Sequence, residues 1–165
     1  MNHAELAQKY FLEGYNCAQS VVLAFSDLTH IDEDQAVRLA SSFGGGMGGL
    51  RQNCGAVSGI LIVAGLLMGY DEPNNLEVKR AHYERVQALV NAFLAENGTM
   101  NCRELLTRAG VPVSPTPAER TPEYYARRPC PRLVASAAAI LDRMLAEALP
   151  CEKDATKSRG CTSNS

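Results

Sequence analysis

Apolar residues recur along this chain at helical spacing almost from end to end, and no stretch alternates as a half-buried strand does. The pattern predicts an all-α fold. Ala4 to about Glu13 carries the pairs Leu6/Tyr10 and Ala7/Phe11, each four residues apart. The next segment repeats at Ala18, Val21, Val22, Phe25 and Leu28, a single stripe for burial. A third helix opens at Asp32, with Gln35 completing a capping box, and runs through Ala36, Leu39, Ala40 and Phe43 to a stop at Gly44.

From Gln52 to Tyr70 there are nineteen residues without a charge, long enough to raise the question of a membrane span. Asn53, Cys54, Ser58 and four glycines dilute the run, so it reads instead as the central core helix of a compact, single-domain helical bundle. Gly55/Gly59 and Gly65/Gly69 sit four apart, a spacing that lets neighbouring backbones approach, and the same faces suit a second copy in a homodimer. Asn74 and Glu77 then cap a long helix whose stripe is Val78, His82, Val86, Leu89, Val90 and Phe93, ending at Asn97-Gly98. His82 on that stripe reads as a hydrogen-bonded boundary residue ahead of a ligand. A short helix follows from Cys102 to Ala109. Gly110 to Pro131 holds six of the eight prolines and reads as a loop, of a length typical of lids and binding loops. Its residues Glu119, Tyr124, Tyr125, Arg127 and Arg128 are the candidate lid or docking surface. The last helix repeats at Leu133, Val134, Ala137, Ile140, Leu141, Met144 and Leu145 and stops at Pro150. These boundaries give a helical domain over 1–149 and a polar tail over 150–165, expected to be disordered.

The 165 residues are 46% hydrophobic with a formal charge of -2, which gives no general attraction to nucleic acid or an anionic membrane surface. The N-terminus has no basic and apolar leader, so a cytoplasmic location is expected. In that reducing compartment six cysteines call for chemistry other than a disulfide scaffold, and a chain of this size needs no such scaffold.

The cysteines stand at 17, 54, 102, 130, 151 and 161, with no C-x-x-C pair, which argues against thioredoxin-like, c-type haem and zinc-ribbon motifs. Cys17, Cys54 and Cys102 each follow an asparagine, although only nine residues of the chain are Asn. Asn is among the best N-caps, and Asn16-x-x-Gln19 and Asn101-x-x-Glu104 read as capping boxes. Asn53 precedes the central helix in the same way, and Pro131 makes Cys130 the expected N-cap of the last helix. Four helices therefore begin at a cysteine, where the helix dipole favours the thiolate. Arg51, Arg103, Arg127, Arg128 and Arg132 lie close by in sequence to add to the effect. Convergence of the four helix starts would surround four thiolates with N–H dipoles, a suitable host for an anionic iron–sulfur cluster. The glycine run Gly44 to Gly49 formally contains G-x-G-x-x-G, but a helix precedes it instead of a strand, so it reads as a tight connection and not a dinucleotide site.

The segment Cys54-Gly55-Ala56-Val57-Ser58-Gly59 resembles the C-G-A-x-x-G signature of the C_GCAxxG_C_C family of redox-active proteins. Tyr15 to Ser20, the glycine run, Asn101 to Leu106 and Cys130-Pro131 resemble the family's remaining segments, in order, over nearly the whole chain to about Leu149. The resemblance implies that Cys17, Cys54, Cys102 and Cys130 are the family's four cysteines, and leaves Cys151 and Cys161 outside its pattern. The family is also similar to a domain of split-Soret cytochromes, which pair haem with an iron–sulfur centre. This chain lacks the haem-attachment motif, so only the cluster transfers. Three readings stand. The first is cluster binding for electron transfer or redox sensing with an unidentified redox partner protein. The second is a metal-free thiol–disulfide relay or oxidoreductase. The third is a structural zinc module with the same four cysteines as ligands.

Overall fold

A computed structural model describes residues 1–148. The tail with Cys151 and Cys161, and the domain boundary expected there, lie outside the described residues. The architecture is all-α. Asn2 and Glu5 close a capping box on α1 (His3–Leu12), and Asn16 and Gln19 do the same on α2 (Cys17–Ala24). The expected single stripe then breaks at Phe25, whose backbone leaves the helical region. A separate turn, α3 (Ser26–Thr29), follows and leaves Leu28 38% exposed instead of buried. Asp32 accepts from the Gln35 N–H to start α4 (Glu33–Ala40), which buries Ala36 and Ala40 while Leu39 stays exposed, outside the stripe assigned to it. A 3-10 turn (Ser41–Phe43) leads into one distorted turn, α5 (Gly44–Met47).

The apolar run forms α6 (Gly55–Met68), and α7 (Leu76–Asn97) follows with Asn75, not Asn74, as its cap. Asn75 accepts from the Val78 N–H and donates to Glu72, which fixes the choice between the two asparagines. Only Leu89 and Phe93 of α7 are fully buried, and His82 faces the Met68 carbonyl at 3.2 Å, a boundary histidine. Then come α8 (Cys102–Arg108), α9 (Pro122–Arg127) and α10 (Cys130–Ala148). The helix α9 lies within the stretch expected to be loop throughout. Thr121 accepts from the Tyr124 N–H and Pro122 fills the first turn, where a missing N–H costs nothing.

Packing explains why two helices share the centre. The eight-residue α2 buries six of its side chains against α1, α4, α6 and α10. It lies unusually close to α6, because a Cβ on Gly59 would come within 2.7 Å of the Val21 Cβ. The α10 stripe, Leu133, Val134, Ala137, Ile140, Leu141 and Leu145, is buried against α1, α2, α6 and α7. Each of its larger side chains contributes roughly 1.5–3 kcal/mol by leaving water. No helix among the described residues is long and apolar enough to cross a membrane.

Candidate functional site

The helix starts carrying Cys17, Cys54, Cys102 and Cys130 converge, and all four cysteines line one cavity. Cys17 and Cys102 occupy the first positions of α2 and α8, behind the caps Asn16 and Asn101. Two expected caps are placed differently. Cys54 is itself the N-cap of α6, because Asn53 is held in an isolated antiparallel bridge with Asn101. Cys130 is the first helical residue of α10 instead of its cap, since the preceding Pro129 carbonyl accepts from the Leu133 N–H. At Asn101 the capping box is incomplete. The Asn101 N–H goes to the Thr99 hydroxyl, and Glu104 pairs with Arg108.

Backbone lacing holds the cysteines in place. The Cys54 N–H donates to the Met100 carbonyl at 2.7 Å, and the Cys102 N–H donates to the Gln52 carbonyl at 2.6 Å. One crossing of the 51–54 segment with the 100–103 segment thus sets two cysteines at once. The segment also receives the glycine run, through Arg51 N–H to Gly45 O and Gln52 N–H to Gly46 O. Residues Gly45 to Gly49 all have positive φ, and the run meets Cys102 at Gly46. A Cβ on Gly46 would lie 2.7 Å from the Cys102 Cβ, and one on Gly55 would lie 3.0 Å from the Cys17 Cβ.

Three arginines complete the wall. Arg51, 8% exposed, donates through Nε to the Ser114 carbonyl and lies beside Cys102. Arg128 lies beside Cys130 with its guanidinium 4.2 Å from the Tyr124 ring centre. Arg120, which sequence reasoning passed over between Glu119 and Tyr124, donates to the Phe11 and Tyr15 carbonyls and covers the Phe11 ring. Its spacing of four from Tyr124 was the available signal. Arg103, Arg127, Arg132 and Glu119 line no part of the cavity, so of the charged residues singled out in the sequence only Arg51 and Arg128 turn inward. Among the described residues, no Asp or Glu lines the cavity.

The thiols do not share the lowered acidity expected at helix starts. Burial pushes Cys54 up to about 12 against the favourable N–H groups of Ala56 and Val57. Cys17 is raised because it holds its proton in a hydrogen bond to Cys130, because it is buried, and because the other three thiols stand near it. Burial raises Cys102 too, with Arg51 opposing. Cys130 alone falls, to about 7, because it accepts from Cys17 and faces Arg128. Desolvation and mutual proximity outweigh the helix dipoles at three of the four. No three His, Cys, Asp or Glu side chains among the described residues gather closely enough to hold a single metal ion.

A family model described as "Putative redox-active protein (C_GCAxxG_C_C)" matches residues 15–144. The chain belongs to this family. The match takes in all four cavity cysteines and the start of every helix that carries one, and the C-G-A-x-x-G signature falls on the turn where α6 begins. For this C_GCAxxG_C_C protein, redox activity is therefore what the family's description points to. No curated protein and no solved structure matches the chain.

Proposed function

We propose that this protein is an iron–sulfur redox protein, with Cys17, Cys54, Cys102 and Cys130 holding the cluster for electron transfer or redox sensing toward a protein partner. The observation that carries the reading is the gathering of four thiols from four helix starts around one cavity, with no carboxylate in its wall among the described residues. The donor set suits the group: thiolates select soft metals, and four of them are the usual complement of a two-iron or four-iron cluster. A cluster spans several irons, so its ligands need not gather round one point as those of a single zinc ion must. When bound, the cluster supplies one-electron chemistry.

The chain's own residues do the remainder. Arg51 and Arg128 set positive charge beside Cys102 and Cys130 and stabilise their thiolate forms. Leu105, Leu106 and Leu133 line the same cavity and limit water. A reducing compartment, the cytoplasm, keeps the thiols free for the metal. Protein purified without oxygen is expected to be brown and to contain iron and acid-labile sulfide, with loss of both in each single Cys→Ser variant at the four positions. Colourless anaerobic protein without iron overturns the reading.

One observation favours the thiol relay as a second reading. Cys17 and Cys130 line one cavity and act on each other's acidity, Cys17 shifted up and Cys130 down, a pairing of thiol with incipient thiolate that suits disulfide exchange. Mild oxidation of metal-free protein followed by peptide mapping separates the two. A reversible Cys17–Cys130 disulfide in protein that never binds iron selects the relay.

A further inference from the structure

Beside the cysteine cavity lies a second cavity of about 290 Å3, and Arg51, Arg120, Tyr124 and Arg128 form part of the wall the two share. The cysteine cavity itself, at about 50 Å3, is too small for an organic molecule, whereas the outer one approaches the lower end, roughly 300 Å3, of small-molecule pockets. The glycine run walls it on one side, where the left-handed backbone keeps side chains out of the space, and Pro115 and Pro117 wall it on the other. Among the described residues, no Asp or Glu lines either cavity and none of the three arginines pairs with a carboxylate.

Arg51 is the sharpest case. It is more than nine-tenths buried, its side chain's one hydrogen bond to an oxygen among the described residues runs from Nε to Ser114, and its terminal nitrogen lies beside Gly45, in the wall common to both cavities. Burying a guanidinium without a full counter-charge is costly, and Cys102 answers it only from the inner side. Arg120 is committed to the Phe11 and Tyr15 carbonyls, which leaves Arg51 and Arg128 as the groups with donors to offer. Convergent guanidinium groups in a cleft without acids raise the local concentration of anions and bind oxyanions bidentately.

We infer that the outer cavity is a binding site for a small oxyanion, a phosphate or carboxylate group held by Arg51 and Arg128 between the glycine run and the proline-rich segment. The shared wall sets that anion next to the cysteine chamber, as substrate or effector. This role rests on the proposed redox function, but the binding does not.

Calorimetric titration of the full chain with inorganic phosphate and, separately, with malonate tests it, at ionic strength held constant with chloride. Saturable binding of at least one anion is expected, about tenfold weaker in Arg128→Gln, for the loss of one charge-assisted pair. Ala118→Trp fills the cavity from an exposed position in its wall without changing charge, and is expected to abolish binding. Binding of phosphate alone or malonate alone supports the site and identifies which oxyanion it takes. No saturable heat with either anion, or equal binding in wild type and both variants, overturns the proposal. Iron and sulfide measured on the same samples keep the two ideas apart: binding by iron-free protein supports the site and removes only the cluster.

Discussion

Gly46 shows how little room single atoms have around the cysteines. Its φ of 67° lies in the left-handed region, and an added Cβ would meet Cys102 Cβ at 2.7 Å and Gln52 N at 2.9 Å, both parts of the cysteine cavity's frame. Gly46→Ala is expected to destabilise the fold by at least about 1–2 kcal/mol from the backbone conformation alone, and the steric contact adds to that. Under the proposed cluster reading, iron content should fall with it. Gly65 supplies the control, since a Cβ there meets nothing within 4 Å among the described residues and the backbone is helical. Gly65→Ala should raise stability by about 0.5–1 kcal/mol, read by urea unfolding alongside the first variant. The sequence offered no way to separate these two glycines, nor the pair Gly55/Gly59, where a Cβ would meet α2, from Gly65/Gly69, where a Cβ would meet only the helix's own backbone or open space among the nearest described atoms. Spacing of four says that two residues share a helix face and nothing about which neighbour that face meets. The same limit applied to the thiols. Their positions at helix starts were legible, but their protonation depends on burial and on the other sulfurs, which only the assembled cavity sets.

Among the elements, helices whose ends carry local signals were readable and those whose ends depend on tertiary contacts were not. Asn16 caps α2 as its box with Gln19 announces, accepting from the Ala18 and Gln19 N–H groups, and it also donates to the Ser41 carbonyl. Asn16→Ala should therefore cost about 1–2 kcal/mol in chemical denaturation, at the upper end for a cap, because a tertiary bond is lost with it. Asn53 looked the same in sequence but pairs with Asn101 instead, and α9 was obscured because proline density outweighed the Thr121-Pro122 start. A pH-dependent clasp joins three elements at the opposite end of α1. His3 stacks on Phe25 at 4.1 Å and donates ring N–H groups to Asp142 of α10 and, at 3.2 Å, to Asp27 of α3. Burial disfavours the charged ring, but the two carboxylates outweigh it and raise its pKa above 6.5. Because the folded value is the higher one, the clasp is fully stabilising below about pH 6.5 and is lost as pH rises through the raised value. Unfolding free energy of wild type should fall across that window relative to His3→Gln. Parallel pH profiles for the two proteins would show that the clasp carries no charge-dependent stability.

At the scale of the molecule, the proline-rich stretch is a fitted cover. Its length and composition were legible as a lid, and its docking points were not, because each is a contact between residues far apart in sequence. Arg51 holds it through Ser114, Pro115 O would lie 2.2 Å from a Cβ on Gly49, and Tyr125 packs edge-on against Phe11 at 5.9 Å. Arg120 is the chief fastening. Its two terminal nitrogens reach the Phe11 and Tyr15 carbonyls at 3.3 Å each, which ties the segment to the C-terminal end of α1, where the helix dipole is negative. Its guanidinium also lies 4.7 Å from the Phe11 ring centre and 5.1 Å from that of Tyr124, within reach of cation–π attraction to both. These contacts fall on α1, Tyr15 and the 49–51 segment, with Phe11 alone of their apolar partners fully buried in the core, so loosening the cover need not unfold the bundle. Arg120→Ala should accordingly leave the midpoint of global unfolding within about 1 kcal/mol of wild type, while metal-free protein shows thiols reacting several-fold faster with a bulky disulfide reagent. Faster hydrogen exchange confined to residues 111–128 should accompany it. Thiol reactivity unchanged, with exchange raised evenly throughout the chain, would mean that Arg120 supports the bundle as a whole and that access to the cysteines is controlled elsewhere.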